Sequence, residues 1–127
     1  MKNLIMLGVC CSITIGAAIA QDKRDQKPSW LAPRAADTRR NPLPRTQEIL
    51  AGGQKVFRQR CSSCHAEDGT GTNRGPNLTI QHVQEQSDGA LFWKISSGNT
   101  RMGMPTFSFL PEAQRWQLVM QVRELAE

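Results

Sequence analysis

Apolar residues recur at helical spacing in the stretch that begins near Thr46. Ile49, Leu50 and Phe57 fall on one face of such a helix, at the spacing typical of an amphipathic segment. The pattern continues without a break into Cys61. The sequence therefore predicts a first helix that runs directly into Cys61.

Two further segments have the same periodicity. A second helix is predicted from a cap at Ser87 or Asp88 to a stop at Gly98. A third begins at Pro111, because proline is well tolerated in the first turn, and it runs to the end of the chain. Residues 64–79 are rich in Gly, Asn, Asp and Thr and predict an irregular loop. No segment predicts a strand.

The first twenty residues, Met1 to Ala20, have the composition of a signal peptide. One positive charge at Lys2 precedes an apolar run that ends in Ala18-Ile19-Ala20, an A-x-A cleavage pattern, so Gln21 is the expected mature N-terminus. The alternative is a retained anchor, but the run is at or below the roughly 17–25 apolar residues of a membrane span. We expect a periplasmic protein without a stable membrane anchor.

Cleavage would also remove two of the four cysteines. Cys10 and Cys11 lie inside the apolar run, and acylation of Cys10 is a minor alternative because Val9 is not the small residue that a lipoprotein signal requires. The mature chain would keep Cys61 and Cys64. About 105 mature residues are enough for one small domain.

Residues 21–45 form a distinct segment between the signal peptide and the predicted domain at residues 46–127. This segment contains four prolines, few apolar residues, and seven basic against three acidic side chains. We expect a basic leader that is mobile, with Trp30 able to attach it to the domain surface. The domain itself balances eight basic with eight acidic residues, so the net charge of +5 does not indicate nucleic-acid binding.

The strongest chemical signal is Cys61-Ser62-Ser63-Cys64-His65. A C-x-x-C-H pattern allows two thiols to bond covalently to haem while the next imidazole ligates its iron. The pattern also occurs in zinc sites, but after export His82 is the one remaining Cys or His outside it, too few for four ligands. A disulfide between Cys61 and Cys64 is the other alternative in an oxidising compartment.

A haem iron that transfers electrons reversibly needs a second protein ligand. Met120 has the spacing of a core residue in the third helix, and His82 lies in a polar stretch, so neither is favoured. Two methionines remain, in Met102-Gly103-Met104-Pro105, where glycine permits a close backbone approach and proline stiffens the turn.

Taken together, these motifs resemble the class I, monohaem c-type cytochromes of bacteria over about Ile49 to Ala126. The matching features are Gly53, Phe57 and Cys61 along the first helix, Gly75-Pro76-Asn77-Leu78, Met104-Pro105 with Phe107, and the terminal helix from Trp116 to Leu125. One position departs from the family, because Gln121 stands where many relatives place an aromatic residue against the glycine of the first helix.

The resemblance implies a small all-α cytochrome c fold, with three or more helices and loops wrapped around one covalently bound haem c. It implies thioether attachment at Cys61 and Cys64 and axial ligation by His65 and Met104, with Met102 as the alternative ligand. It further implies that the Pro76 carbonyl accepts a hydrogen bond from the His65 imidazole. Candidates to line the pocket are Phe57, Leu78, Phe92, Ile95, Phe107, Leu118 and Val122.

With both axial positions filled, the resemblance implies an electron-transfer protein and not an enzyme. The expected partners are a dehydrogenase that donates electrons and an oxidase that accepts them, with the chain as a monomer or a small subunit. Two alternatives remain open: a haem subunit within a dehydrogenase or oxidase complex, and a haem-based gas sensor or enzyme with a labile methionine.

Overall fold

The computed structural model describes residues 30–127, so the predicted signal peptide and residues 21–29 lie outside the described part of the chain. Within residues 30–127 there are two isolated β-bridges and no strands, which confirms the predicted all-α class. The helices are α1 (Arg34–Asp37), α2 (Gln47–Arg60), α3 (Ser62–His65), α4 (Gln81–Gln84), α5 (Asp88–Ser97) and α6 (Glu112–Glu124), with a 3₁₀ turn at Thr100–Met102.

The three predicted helices are present as α2, α5 and α6. The hydroxyl of Thr46 accepts a hydrogen bond from the Ile49 amide at the start of α2, and the hydroxyl of Ser87 accepts one from the Ala90 amide at the start of α5. These caps satisfy amides that have no partner within the helix. Pro111 directly precedes α6 and is not its first residue, a difference of one position.

Helix α2 packs against α6, and the crossing is closest at Gly53. A Cβ atom on Gly53 would lie 2.4 Å from the Gln117 carbonyl oxygen and 3.4 Å from the Cβ of Gln121. The side chain that faces this glycine is therefore Gln121, as expected from the departure in the sequence. Trp116 lies elsewhere on α6, where its ring stacks on Phe92 with centroids 4.0 Å apart.

The apolar interior divides into two clusters. The first cluster consists of buried Val56, Phe57, Phe107, Leu110 and Leu118. The second cluster consists of buried Leu91, Phe92, Trp116, Val119 and Val122. Leu78 and Ile95 pack against both, so they connect the two halves of the interior.

Residues 30–45, called the strap below, are folded against the domain. Helix α1 packs on α5, the Asn41 side-chain amide donates to the Trp116 carbonyl at 3.0 Å, and Leu43 packs against the second cluster. Arg45 forms ion pairs with Glu124 and Glu127 of the chain's last residues. Specific contacts with distant residues therefore join residues 30–45 to the domain and supply the packing that the composition of this segment lacks.

None of the helices between residues 30 and 127 has both the length and the hydrophobicity required to cross a membrane.

Candidate functional site

The cysteine motif lies where α2 gives way to the single turn of α3. The Cys61 amide donates to the Phe57 carbonyl at 2.8 Å, and the amides of Cys64 and His65 both donate to the Cys61 carbonyl, at 3.1 and 2.9 Å. Residues three and four apart share one face of a helical turn. Cys61, Cys64 and His65 therefore belong to one face of the same turn.

The loop after α3 orients the imidazole of His65. Its Nδ1 nitrogen lies 2.9 Å from the Pro76 carbonyl oxygen, so the hydrogen bond that the resemblance implies is present. A carbonyl oxygen can only accept, so in the neutral imidazole this contact favours the tautomer with the proton on Nδ1 and the Nε2 lone pair free. His65 thus has the tautomer required of a metal ligand.

Further bonds fix this loop to the motif. The Thr72 hydroxyl donates to the Cys64 carbonyl at 2.7 Å, and the Gly71 amide donates to the His65 carbonyl at 2.9 Å. The Leu78 amide donates to the Gly69 carbonyl at 2.7 Å. The contribution of Thr72 was not expected from the sequence, because a threonine in a polar loop gives no sign of its distant partner.

The two candidate methionines differ in their surroundings. Asn99 and Met104 exchange two backbone hydrogen bonds of 2.9 and 3.0 Å, which close a tight turn directly after α5. Met104 is partly buried and packs against the first cluster, whereas Met102 is 65% exposed. The structure thus favours Met104 over Met102 as the thioether directed toward the interior.

The first cluster brings the donors of both segments to one apolar region. Cys61, Met104, Leu78 and Ile95 all pack against it. Burial raises the pKa of the Cys61 thiol to about 12, and the charge of a deprotonated Cys64 adds to this shift. A partly buried cysteine, an oriented imidazole and a thioether beside apolar walls suit a large apolar macrocycle with an iron centre.

A structural zinc site fits the described residues less well, because it requires four protein ligands. Between residues 30 and 127, no three His, Cys, Asp or Glu side chains converge as they would around a metal ion. The sulfur atoms of the described cysteines, Cys61 and Cys64, are not joined to each other.

The residues predicted to line the haem pocket are divided between the two clusters. Phe57, Phe107 and Leu118 belong to the first cluster, and Leu78 and Ile95 contact it, whereas Phe92 and Val122 belong to the second. Two first-cluster residues, Val56 and Leu110, were not among the residues predicted to line the pocket. Leu110 lies in an irregular segment without hydrophobic periodicity, so no pattern identifies it as a core residue. The nearby sequence signal is Pro111, which marks the start of the next helix.

Comparison with known protein families adds an independent observation. Residues 48–120 match the family described as cytochrome C oxidase, cbb3-type, subunit III. The match covers more than half of the 127 residues and contains both the cysteine motif and the methionine loop. The chain belongs to this family, and it is a c-type cytochrome, a haem-binding electron-transfer protein.

Proposed function

We propose that this protein is a periplasmic monohaem carrier that passes single electrons between redox partners. The supporting observation is the convergence of two segments on one apolar cluster. One segment brings Cys61 with the oriented His65, and the other brings Met104. When bound, the haem supplies an iron that takes up and releases one electron.

Each residue of the site has a distinct role in this proposal. Cys61 and Cys64 attach the cofactor through thioether bonds, so that it cannot dissociate. His65 binds iron through Nε2, and the Pro76 carbonyl holds its Nδ1 proton, which fixes the ring and raises its basicity. Met104 is a weaker donor that favours the reduced state relative to a second histidine.

The proposed ligation favours a carrier over an enzyme or a gas sensor. If His65 and Met104 both ligate the haem iron, no coordination position would be left for a substrate. The protein would then transfer electrons and would not catalyse a reaction at the iron. The sequence contains a single C-x-x-C-H pattern, which supports one haem per chain. The predicted signal peptide supports export, in keeping with the compartment where such thioethers form.

The experiment that tests this function examines the protein in its native compartment. Periplasmic protein is separated by denaturing electrophoresis, stained for haem and examined by a reduced-minus-oxidised spectrum. We expect a haem-stained band at the mature size with the spectrum of a low-spin c-type cytochrome. A colourless band contradicts the proposal.

A second candidate function is supported by the family description, which names a subunit of an oxidase. In that case the chain would be a small haem subunit of a membrane-bound oxidase or dehydrogenase. Native electrophoresis of periplasmic and membrane fractions distinguishes the two. A haem-stained band of monomer size in the periplasm supports the carrier, and co-migration with a membrane complex supports the subunit.

A further inference from the structure

We propose that the strap, residues 30–45, positions α5 and thereby holds the loop that carries Met104 in its ligating place. The proposal rests on the axial role of Met104 stated above. In this proposal the strap determines how readily the Met104 thioether dissociates from the haem iron.

The strap contacts the start of α5 very closely. An ideal Cβ atom on Gly89 would lie 2.0 Å from the Ala36 carbonyl oxygen, so only glycine permits this approach. The Ser87 hydroxyl, which caps α5, also donates to the Asp37 carboxylate at 2.6 Å. The first turn of α5 is thus joined directly to α1.

Arg39 extends this contact to α6. Its guanidinium lies 4.7 Å from the ring centroid of Phe92 on α5 and 5.2 Å from that of Trp116 on α6. The same group donates to the Glu112 carboxylate at 2.7 Å. Because a cation is attracted to an aromatic face, Arg39 holds the two helices together from outside.

The far end of α5 leads directly to the methionine loop. The Ile95 carbonyl accepts a hydrogen bond from the Phe107 amide at 3.2 Å, just after the loop. Asn99, two residues beyond α5, forms the backbone pair with Met104. A displacement of α5 therefore displaces both ends of the loop.

The strap has no comparable contact with the other half of the site. Cys61, Cys64 and His65 lie at the end of α2 and in α3, which are held by α6 and by the loop of Pro76. Loops open locally at low free energy, and such opening of the methionine loop would release a thioether bound to the metal. The strap therefore acts more directly on the Met104 half of the site than on the His65 half.

The test uses Gly89→Ala in the full-length haem protein. Alanine favours the α5 helix itself but forces the Ala36 carbonyl away, so the strap is displaced while α5 is retained. Cyanide can bind ferric iron only after Met104 has left, and we expect it to bind about tenfold faster in the variant. Hydrogen exchange of the Asn99 and Met104 amides should accelerate in parallel. This measurement does not require cyanide to bind the metal.

A matched pair of arginine variants separates positioning from general loss of stability. Arg39→Ala removes the strap's contacts with Phe92 of α5 and with Trp116 and Glu112 of α6, whereas Arg45→Ala removes ion pairs with Glu124 and Glu127 and no contact with α5. We expect Arg39→Ala to accelerate both cyanide binding and exchange, and Arg45→Ala to stay within about twofold of the native rates. Arg39→Lys, which keeps the positive charge beside Glu112, serves if the alanine variant does not accumulate.

Unchanged rates in Gly89→Ala, or equal acceleration in Arg39→Ala and Arg45→Ala, would overturn the positioning role. A native protein without haem, or without thioether ligation, would contradict the proposed function instead. Exchange at the Asn99 and Met104 amides would still show in that case whether the strap holds the loop.

Discussion

The Nδ1 nitrogen of His65 and the carbonyl oxygen of Pro76 are 2.9 Å apart. This contact couples the cysteine motif to a loop eleven residues further along the chain. It selects the tautomer with Nε2 free, and it holds the ring against rotation. The loop is in turn tied to the motif by Thr72, whose hydroxyl donates to the Cys64 carbonyl.

Thr72→Val is expected to loosen the His65–Pro76 contact. The substitution keeps the shape of the side chain but removes two hydrogen bonds. The Thr72 hydroxyl no longer donates to the Cys64 carbonyl, and it no longer accepts from the Arg74 amide. The Nδ1 proton of His65 should exchange with solvent several-fold faster, since a hydrogen bond of this kind contributes about 1 kcal/mol. Proton NMR of the reduced protein measures this rate.

Thr70→Val is the matched control, because the Thr70 hydroxyl bonds only to the Asp68 carboxylate in the same loop. Equal exchange rates in Thr72→Val and Thr70→Val would show that Thr72 does not support the imidazole.

Met104→Ala and Met102→Ala should have opposite effects. Met104 packs against the first cluster, whereas Met102 is 65% exposed. The thioether-to-iron absorption band of the oxidised protein should vanish in Met104→Ala and persist in Met102→Ala. Loss of the band in Met102→Ala, with Met104→Ala unaffected, would reverse the assignment.

Two neighbouring glycines on α2 should respond differently to alanine. A Cβ on Gly53 would meet the Gln117 backbone oxygen at 2.4 Å, whereas one on Gly52 would meet only the end of the Gln117 side chain at 2.7 Å. A side chain can rotate away and a backbone cannot. Gly53→Ala should lower the free energy of unfolding by about 1–3 kcal/mol.

Gly52→Ala should leave the free energy of unfolding within about 1 kcal/mol of the native value, because helix propensity favours alanine. Urea unfolding of both haem proteins gives the comparison. Similar losses in the two variants would argue against a close α2–α6 crossing at Gly53.

The Glu112 carboxylate should stabilise the folded protein only at pH values above the range in which it titrates. Hydrogen bonds from the Trp116 indole and then from Arg39 lower the pKa of its carboxyl from the ordinary value of 4.5. A lowered pKa in the folded state stabilises above the unfolded pKa, and the contribution is lost as the pH falls through the folded pKa. Thermal unfolding of the native protein and Glu112→Gln should therefore converge as the pH falls below 4.5. A difference that grows on acidification would contradict this linkage.

Local sequence patterns predicted the long helices well. The hydroxyls of Thr46 and Ser87 and the glycine at 98 are signals within a few residues of each helix end, and they lie at the observed ends of α2 and α5. The one-turn helices α1, α3 and α4 are too short for periodicity to show. The His65–Pro76 contact was implied by the family resemblance, and the two atoms lie 2.9 Å apart.

The strap was not predictable in the same way. Its prolines and charges resemble those of a mobile linker, and apart from Trp30 nothing within residues 30–45 indicates a contact with the domain. The contacts that hold it join Arg39 to Phe92 and Glu112, and Asn41 to Trp116, over more than fifty residues. The assignment of Phe92 to the second cluster follows from the same contacts.

The most direct test of the account is the mass of the peptide that contains Cys61, Cys64 and His65, taken from protein exported in its native compartment. We predict a single species of this peptide that carries one haem bound to both cysteines. Peptide recovered only as free thiols or as a Cys61–Cys64 disulfide would contradict the central claim.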